Sequence, residues 1–321
     1  MTDTKQDLRW REIPKEATES WWQAEDGWEI RRIDWPSMGS GKKPRGSLLF
    51  LPGRGDHYEK YLETLHYWAE QGWKVTSIDW RGQGLSGRMV ENRNMGHIDD
   101  FSTWIADLRF FWTRWKAESL GPHVLAAHSM GGHLAMRALV EGAVDPQATM
   151  LSAPMLGIKS SGLPISWTHA FTKWMVRRGK GETLAWKESE KPMSPMSLRR
   201  KILTHSKRRY DDEMFWWEKR PDVKLGPPSW HWLERSIAST RMLDEAGRLE
   251  SVNCPILLMA AKVDQLVSTK RIIADDKRLP NSQLLCFGVE AAHELLREED
   301  GVRDQCLNAM GDFLDQHAPV E

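Results

Sequence analysis

The stretch Leu125-Ala126-Ala127-His128-Ser129-Met130-Gly131-Gly132 ends an apolar run on a single serine set among small residues. The pattern G-x-S-x-G has this form: a buried strand turns abruptly into a helix, and the strained turn lifts a serine oxygen clear of the sheet. Ala127 stands at the first glycine position and Gly131 at the second, so the side chains beside the turn are as small as the motif needs. Ser129 therefore reads as a nucleophile. Five residues also fit a strand-to-helix turn with an incidental serine, so the reading depends on whether the rest of the chain supplies a base, an acid and oxyanion donors.

Working outward, short apolar runs at 47–51, 75–80, 123–127, 148–152, 255–260 and 282–287 have the length and composition of strands buried on both faces. Between them lie helical faces: Tyr61, Leu62, Leu65, Trp68 and Ala69; Trp104, Ile105, Leu108, Phe111, Trp112 and Trp115; Leu134, Ala135, Ala138 and Leu139; Ile272 and Ile273; and Val302, Cys306, Met310 and Phe313. Asp99-Asp100 supplies a cap for the second of these helices. Ahead of them, residues 21–35 around Asp26-Gly27 read as a hairpin at the sheet edge. Strands alternating with amphipathic helices predict an α/β fold with a mostly parallel, doubly wound sheet and function at the carboxyl ends of its strands.

The alternation stops at about residue 155 and returns at about 246. The interval carries seven tryptophans, at 167, 174, 186, 216, 217, 230 and 232, and 18 Lys or Arg against 11 Asp or Glu. We expect residues 1–154 and 246–321 to be two parts of one sheet domain, and 155–245 to be a helical cap inserted into it. Phe171, Trp174 and Met175, with Lys173, Arg177, Arg178 and Lys180, are suited to an amphipathic surface for anionic lipid; a solvated basic face over ordinary helix packing stays open as the alternative.

Two glycine-rich segments are set aside. Gly39-Ser40-Gly41-Lys42-Lys43-Pro44 lacks the spacing of a phosphate loop and the Ser or Thr after the lysine. Gly82 to Gly87 spells G-x-G-x-x-G, but no helical apolar stripe follows its third glycine, as a dinucleotide site requires. With 45 basic and 45 acidic residues in 321, no global charge argues for nucleic acid. The first seven residues lack the apolar core of a signal peptide, and no run reaches the length of a membrane span, so a cytoplasmic protein is expected. Cys254, Cys286 and Cys306 are odd in number and lie in apolar surroundings, as reduced core thiols do. No metal-ligand spacing stands out among the eleven histidines, and no metal or organic cofactor is expected.

Three side chains complete the chemistry. Ser129, Asp264 and His293 occur in the order nucleophile, acid, base; the first two follow strand ends, and the third lies in the loop after the last strand. Alone, the aspartate reads as a helix cap and the histidine as a surface or core residue, but together they can converge at one sheet edge. The amide after the nucleophile, that of Met130, and that of Arg54 in the loop Pro52-Gly53-Arg54 are the candidate oxyanion donors. Gly53 and His128 beside them, with Trp167, Trp174 and Trp230 of the insertion, are the candidates for lining a substrate pocket. His57, Arg81 and His97 lie in motif loops, where hydrogen bonding within the protein competes with a substrate role.

The segments Gly53-Arg54-Gly55-Asp56-His57-Tyr58-Glu59-Lys60-Tyr61, Asp79-Trp80-Arg81-Gly82-Gln83-Gly84-Leu85-Ser86, Gly96-His97-Ile98-Asp99-Asp100-Phe101, His128-Ser129-Met130-Gly131-Gly132 and His293-Glu294-Leu295-Leu296 resemble the monoacylglycerol lipase and bacterial lysophospholipase L2 group of α/β-hydrolases, of the serine aminopeptidase S33 type. Leu225-Gly226-Pro227-Pro228-Ser229-Trp230 resembles the lysophospholipase branch. Pro52 replaces the histidine usual before that glycine, and Ala127 replaces the first elbow glycine; neither change removes a catalytic atom. The resemblance implies a serine hydrolase cleaving carboxylic esters of a single-chain acyl lipid, lysophospholipid or monoacylglycerol; the basic, tryptophan-rich cap adds an expectation of peripheral contact at a membrane face. A short-chain esterase, lactonase or aminopeptidase on the same triad is the first alternative. A non-catalytic protein that binds membrane or a partner through the cap is the second.

Overall fold

The computed structural model describes residues 8–40, 43–159, 162–186 and 194–319. Residues 1–7, and residues 41–42 of the segment 39–44, lie outside the described residues.

The predicted hairpin forms from β1 (Thr18–Gln23) and β2 (Glu29–Trp35), paired antiparallel with Thr18 opposite Asp34. Its turn is closed by Trp28 N–H donating to Asp26 Oδ1 at 3.1 Å. The chain then lays down β3 (Gly46–Leu51), α1 (Leu62–Glu70), β4 (Trp73–Ile78), α2 (Phe101–Glu118), β5 (His123–His128), α3 (Ser129–Val140) and β6 (Ala148–Ser152). Helices α4 (Ile165–Met175), α5 (Ser194–Leu203), α6 (Lys207–Lys219) and α7 (Trp230–Met242) follow before the sheet resumes. It ends with β7 (Ile256–Ala261), α8 (Thr269–Asp276), β8 (Ser282–Phe287) and α9 (Asp300–His317).

The eight strands form one sheet in the order β1-β2-β4-β3-β5-β6-β7-β8, parallel from β4 to β8. From β3 the chain passes outward to β4 and then returns to β5 on the other side. The carboxyl ends of β3 and β5 therefore flank the point where the winding reverses, the place at which such sheets open a crevice. Leu51 pairs with Ala127 there, which puts the loop after β3 beside the serine turn.

The sheet is covered on both faces. Trp104, Leu108, Phe111, Trp112 and Trp115 of α2 pack with Leu134 and Ala135 of α3 and Ile272 of α8 in one buried cluster. Leu62, Leu65 and Trp68 of α1 pack with Val302, Cys306, Met310 and Phe313 of α9 in the other. These are the stripes the sequence predicts. Helix α2 begins where expected, with the Asp100 carboxylate accepting from Ser102 N–H at 2.8 Å.

Strand β4 starts at Trp73 and ends at Ile78, two residues earlier than the apolar run suggests. Asp79 and Trp80 leave the ladder because their side chains have work in the following turn: Asp79 accepts from Tyr58 N–H, Leu85 N–H and Arg31 Nε, and Trp80 Nε1 donates to the Pro52 carbonyl. The Gly82–Gly87 segment wraps around Asp79 as a turn and leads to no helix before Phe101. Among the described residues no helix is long and apolar enough to cross a membrane.

Candidate active site

Ser129 opens α3 with φ of +51°, in the left-handed region that non-glycine residues avoid. The turn is held by close packing. A Cβ on Gly131 would lie 2.4 Å from the carbonyl oxygens of both Leu51 and Pro52, so the helix can rise against the loop after β3 only with hydrogen at that position. Ala127 tolerates its methyl because it sits inside the core cluster on the α2 side of the sheet.

The three predicted side chains meet. His293 Nε2 lies 2.9 Å from Ser129 Oγ, and His293 Nδ1 lies 2.6 Å from Asp264 Oδ2. The other oxygen of Asp264 accepts from the amides of Leu266 and Val267 at 2.7 and 3.0 Å, which fixes the carboxylate toward the imidazole. Burial pulls the His293 pKa down, but the adjacent Asp264 charge outweighs it and holds the pKa above the ordinary histidine value. Burial opposes the ionised form of Asp264 as well, and the His293 charge and hydrogen bond nevertheless keep its pKa below the usual range. His128, 4.8 Å from His293 between ring centres, is pushed down to about 4 by burial and by the His293 charge. It is therefore neutral at pH 7, and its Nδ1–H donates to the Ser152 carbonyl.

The loop at 52–56 is set by side chains rather than by a ladder. Gly53 N–H donates to Asp56 Oδ2 at 2.9 Å and Gly55 N–H to Gln83 Oε1 at 2.6 Å. The amides on either side of Arg54 are thus taken. Asp56 is in turn gripped by Tyr61 O–H at 2.8 Å and Lys60 Nζ at 2.5 Å, and Lys60 also reaches Glu294, the neighbour of His293, at 2.6 Å. A buried ion-pair network therefore joins the loop that carries one candidate oxyanion donor to the segment that carries the candidate base. Arg297 and Glu213 extend it to α6.

Ser129, His128 and His293 open into a cavity of about 620 Å³. Its walls are mainly apolar and include Met155, Ile158, Trp217, Leu225, Trp232 and Val267. Trp186, Leu198 and Leu266, each more than two-fifths exposed, also line it and mark where it meets solvent.

Of the five pocket candidates read from sequence, His128 lines the cavity, and Gly53 lies under it, its Cβ position 3.1 Å from that of Ser129. Trp167, Trp174 and Trp230 are not among its lining residues. Helix α4 turns its small polar side chains inward: His169 and Thr172 are its buried residues, whereas Trp167 is 70% exposed and Trp174 48%. Trp230 stacks edge-on against Phe171, with 5.5 Å between ring centres. The tryptophans that reach the cavity are Trp186, Trp217 and Trp232. All seven were visible as a group, but which face each occupies is decided by how the four helices pack.

Of the motif-loop residues, Arg81 is tied to Asp26 and Asp107, and His57 to Glu59. His97 belongs to the one group among the described residues able to hold a metal ion: His97, Asp99 and His231, whose donor atoms lie within 4.8 Å of one another. Both imidazoles contact Asp99 Oδ1, at 3.1 and 3.0 Å, so hydrogen bonding satisfies the group without an ion. None of the three lines the cavity. No local spacing announces this group, because His231 comes from the first turn of α7. Cys254 and Cys286 are half-buried, Cys306 is buried, and all three are free thiols.

The sequence profile of the family described as "Serine aminopeptidase, S33" matches residues 42–300. The chain belongs to this family. Membership accords with the α/β-hydrolase fold seen in the sheet order and the serine turn, and together with the relatives below it marks the chain as a serine ester hydrolase. Among related proteins, lysophospholipase L2 of Escherichia coli K12 is 30% identical over 289 residues, covering 84% of this chain and 80% of that protein. A probable lysophospholipase L2 of Haemophilus influenzae is 26% identical over 271 residues, covering 84% of each. Among solved structures, a soluble variant of monoglyceride lipase from Saccharomyces cerevisiae superposes with a TM-score of 0.76 at 17% identity, over 95% of this chain and 96% of that one. At that identity the likeness speaks for the fold of this S33 hydrolase.

Proposed function

We propose that this chain hydrolyses carboxylic esters of single-chain acyl lipids, lysophospholipid or monoacylglycerol, through an acyl-enzyme on Ser129. The observation that carries the reading is the Ser129–His293–Asp264 chain of hydrogen bonds, whose Ser129 and His293 line a mainly apolar cavity of about 620 Å³. A volume of that size suits one long acyl chain. The names of the bacterial relatives point the same way.

Ser129 Oγ attacks the ester carbonyl as its proton passes to His293 Nε2, and Asp264 holds the imidazolium that forms. The amides of Met130 and Arg54 receive the oxyanion, each such donor lowering the barrier by roughly 3 kcal/mol. His293 returns the proton to the departing alkoxide, leaving the fatty acyl group esterified to Ser129. Water, losing its proton to His293, then attacks the acyl carbon and releases the fatty acid. Helices α4 to α7 act as the cap over this site.

An aminopeptidase on the same triad is less well supported. It needs a free carboxylate for the substrate ammonium, and the two carboxylates that line the cavity, Asp56 and Glu294, are both bound by Lys60. The exposed Leu163, Ile165, Trp167, Phe171 and Trp174, in the same segment as Lys173, Arg177, Arg178 and Lys180, support peripheral contact of the cap with anionic lipid. A fluorophosphonate probe should label the wild-type chain on Ser129 and leave S129A unlabelled; labelling of S129A at the wild-type rate would place the nucleophile elsewhere.

A further inference from the structure

Arg54 contributes more to the cavity than its backbone. Its guanidinium lies against Gly96, where a Cβ would come within 2.6 Å of Nη2, and its Cζ stands 5.1 Å from the centre of the Trp232 ring. Nη2 donates to the Gly226 carbonyl at 2.5 Å. Its Nε is buried with no hydrogen-bond partner. Among the described residues it forms no ion pair, unlike two other cations of the cavity wall: Lys60 is balanced by Asp56 and Glu294, and Arg199 by Glu213 at 2.7 Å. Burial is the sole influence on the Arg54 pKa, pulling it down to about 10, so the group remains a cation at neutral pH.

Arg54 is partly buried; a guanidinium offers five N–H donors, and on its buried side one neutral carbonyl is met by Nη2 while Nε is left without a partner. If its task were only to pin the Gly226 loop and cover Trp232, an uncharged side chain would do so without that cost. Its contacts with Gly96, Trp232 and the Gly226 carbonyl orient the planar fork, and such a fork recognises tetrahedral oxyanions. The position also suits a glycerolipid. The arginine stem leads from the amide proposed for the ester oxyanion to the guanidinium, much as the glycerol carbons lead from the acyl ester to the head group.

We propose that the Arg54 guanidinium is a subsite for a phosphate ester on the alcohol side of the substrate. The chain then selects phosphate-bearing single-chain lipids over neutral monoacylglycerol. This rests on the single-chain lipid reading of the same site. Asp56 and Glu294 do not repel such a phosphate strongly, because Lys60 and Arg297 together balance the two carboxylates.

The test compares lysophosphatidylglycerol with monoacylglycerol of the same acyl chain, each in the same neutral detergent micelles, for wild type, R54Q and R54K. Wild type should favour the phospholipid in kcat/KM. R54Q should lower kcat/KM on the phospholipid at least tenfold more than on the monoacylglycerol, with R54K in between. A second measurement uses the unmodified enzyme and a short-chain ester: glycerol 3-phosphate should inhibit competitively and glycerol should not, and inhibition by inorganic phosphate alone reports how much of the binding belongs to the anion. Equal losses on both lipids in R54Q would make Arg54 a structural pin and overturn the proposal. So would inhibition by glycerol 3-phosphate that survives unchanged in R54Q. If no long-chain lipid is cleaved at all, the lipid reading fails, while inhibition of the short ester still decides the anion subsite.

Discussion

At the scale of single residues, the account turns on His293. As a general base it must be neutral, and its pKa lies above the ordinary histidine value because Asp264 outweighs burial. Protonation below that pKa removes the base, so the acidic limb of kcat/KM should fall at a pH above the value for an unperturbed imidazole, about 6.5. In D264N that attraction is gone and burial is opposed only by the charges of Glu294 and Asp56, so the limb should move to lower pH while kcat drops by about 10⁴-fold. A pH–rate profile of both proteins checks this; a limb that stays in place in D264N would contradict the assignment of Asp264. Ser129, Asp264 and His293 were legible in the sequence because each follows a strand end in a fixed chain order. Lys60, Asp56, Gln83 and Glu294 were not, although they set the loop and tie it to the base. The links from Gly55 to Gln83 and from Lys60 to Glu294 join distant parts of the chain, and no local pattern marks a lysine that is buried with two carboxylates.

At the scale of elements, the strands and the helices of the sheet domain were legible because their apolar periodicity has one interpretation once both faces are covered. Helix α4 was harder to read. Its aromatic residues suggest a wall for an acyl chain, but the helix docks through His169 and Thr172, with His169 Nε2 3.1 Å from Glu234 of α7, and leaves Trp167, Phe171 and Trp174 outside. Arg178 stands over Trp174, 5.0 Å from the ring centre, so cation and aromatic surface are presented together. Replacing Trp167, Phe171 and Trp174 by serine should weaken sedimentation with anionic vesicles about tenfold or more, because each ring removes apolar area from the interface. Binding to neutral vesicles should be weak in both proteins. Unchanged sedimentation of the triple variant with anionic vesicles would return this face to the category of solvated helix surface.

At the scale of the whole molecule, the sheet supplies the chemistry and the helices between β6 and β7 shape the cavity. The crevice lies between the neighbouring parallel strands β3 and β5, where the winding of the chain reverses, so the loop that carries Arg54 and the proposed nucleophile arrive side by side. Trp217 of α6 and Trp232 of α7 reach this space from the insertion. W217A and W232A should each lower kcat/KM on long-chain esters about tenfold more than on a butyrate ester, since only the long chain uses the walls they form. Equal losses on both substrates would remove these residues from acyl recognition.

The most direct test of the central claim is serine-dependent release of fatty acid from a long-chain lysophospholipid and a long-chain monoacylglycerol, with a short-chain ester beside them and S129A as the blank. The account predicts release from the long-chain lipids that falls by roughly 10⁴-fold or more in S129A. Cleavage of the short ester alone, or long-chain release that persists in S129A, would contradict it.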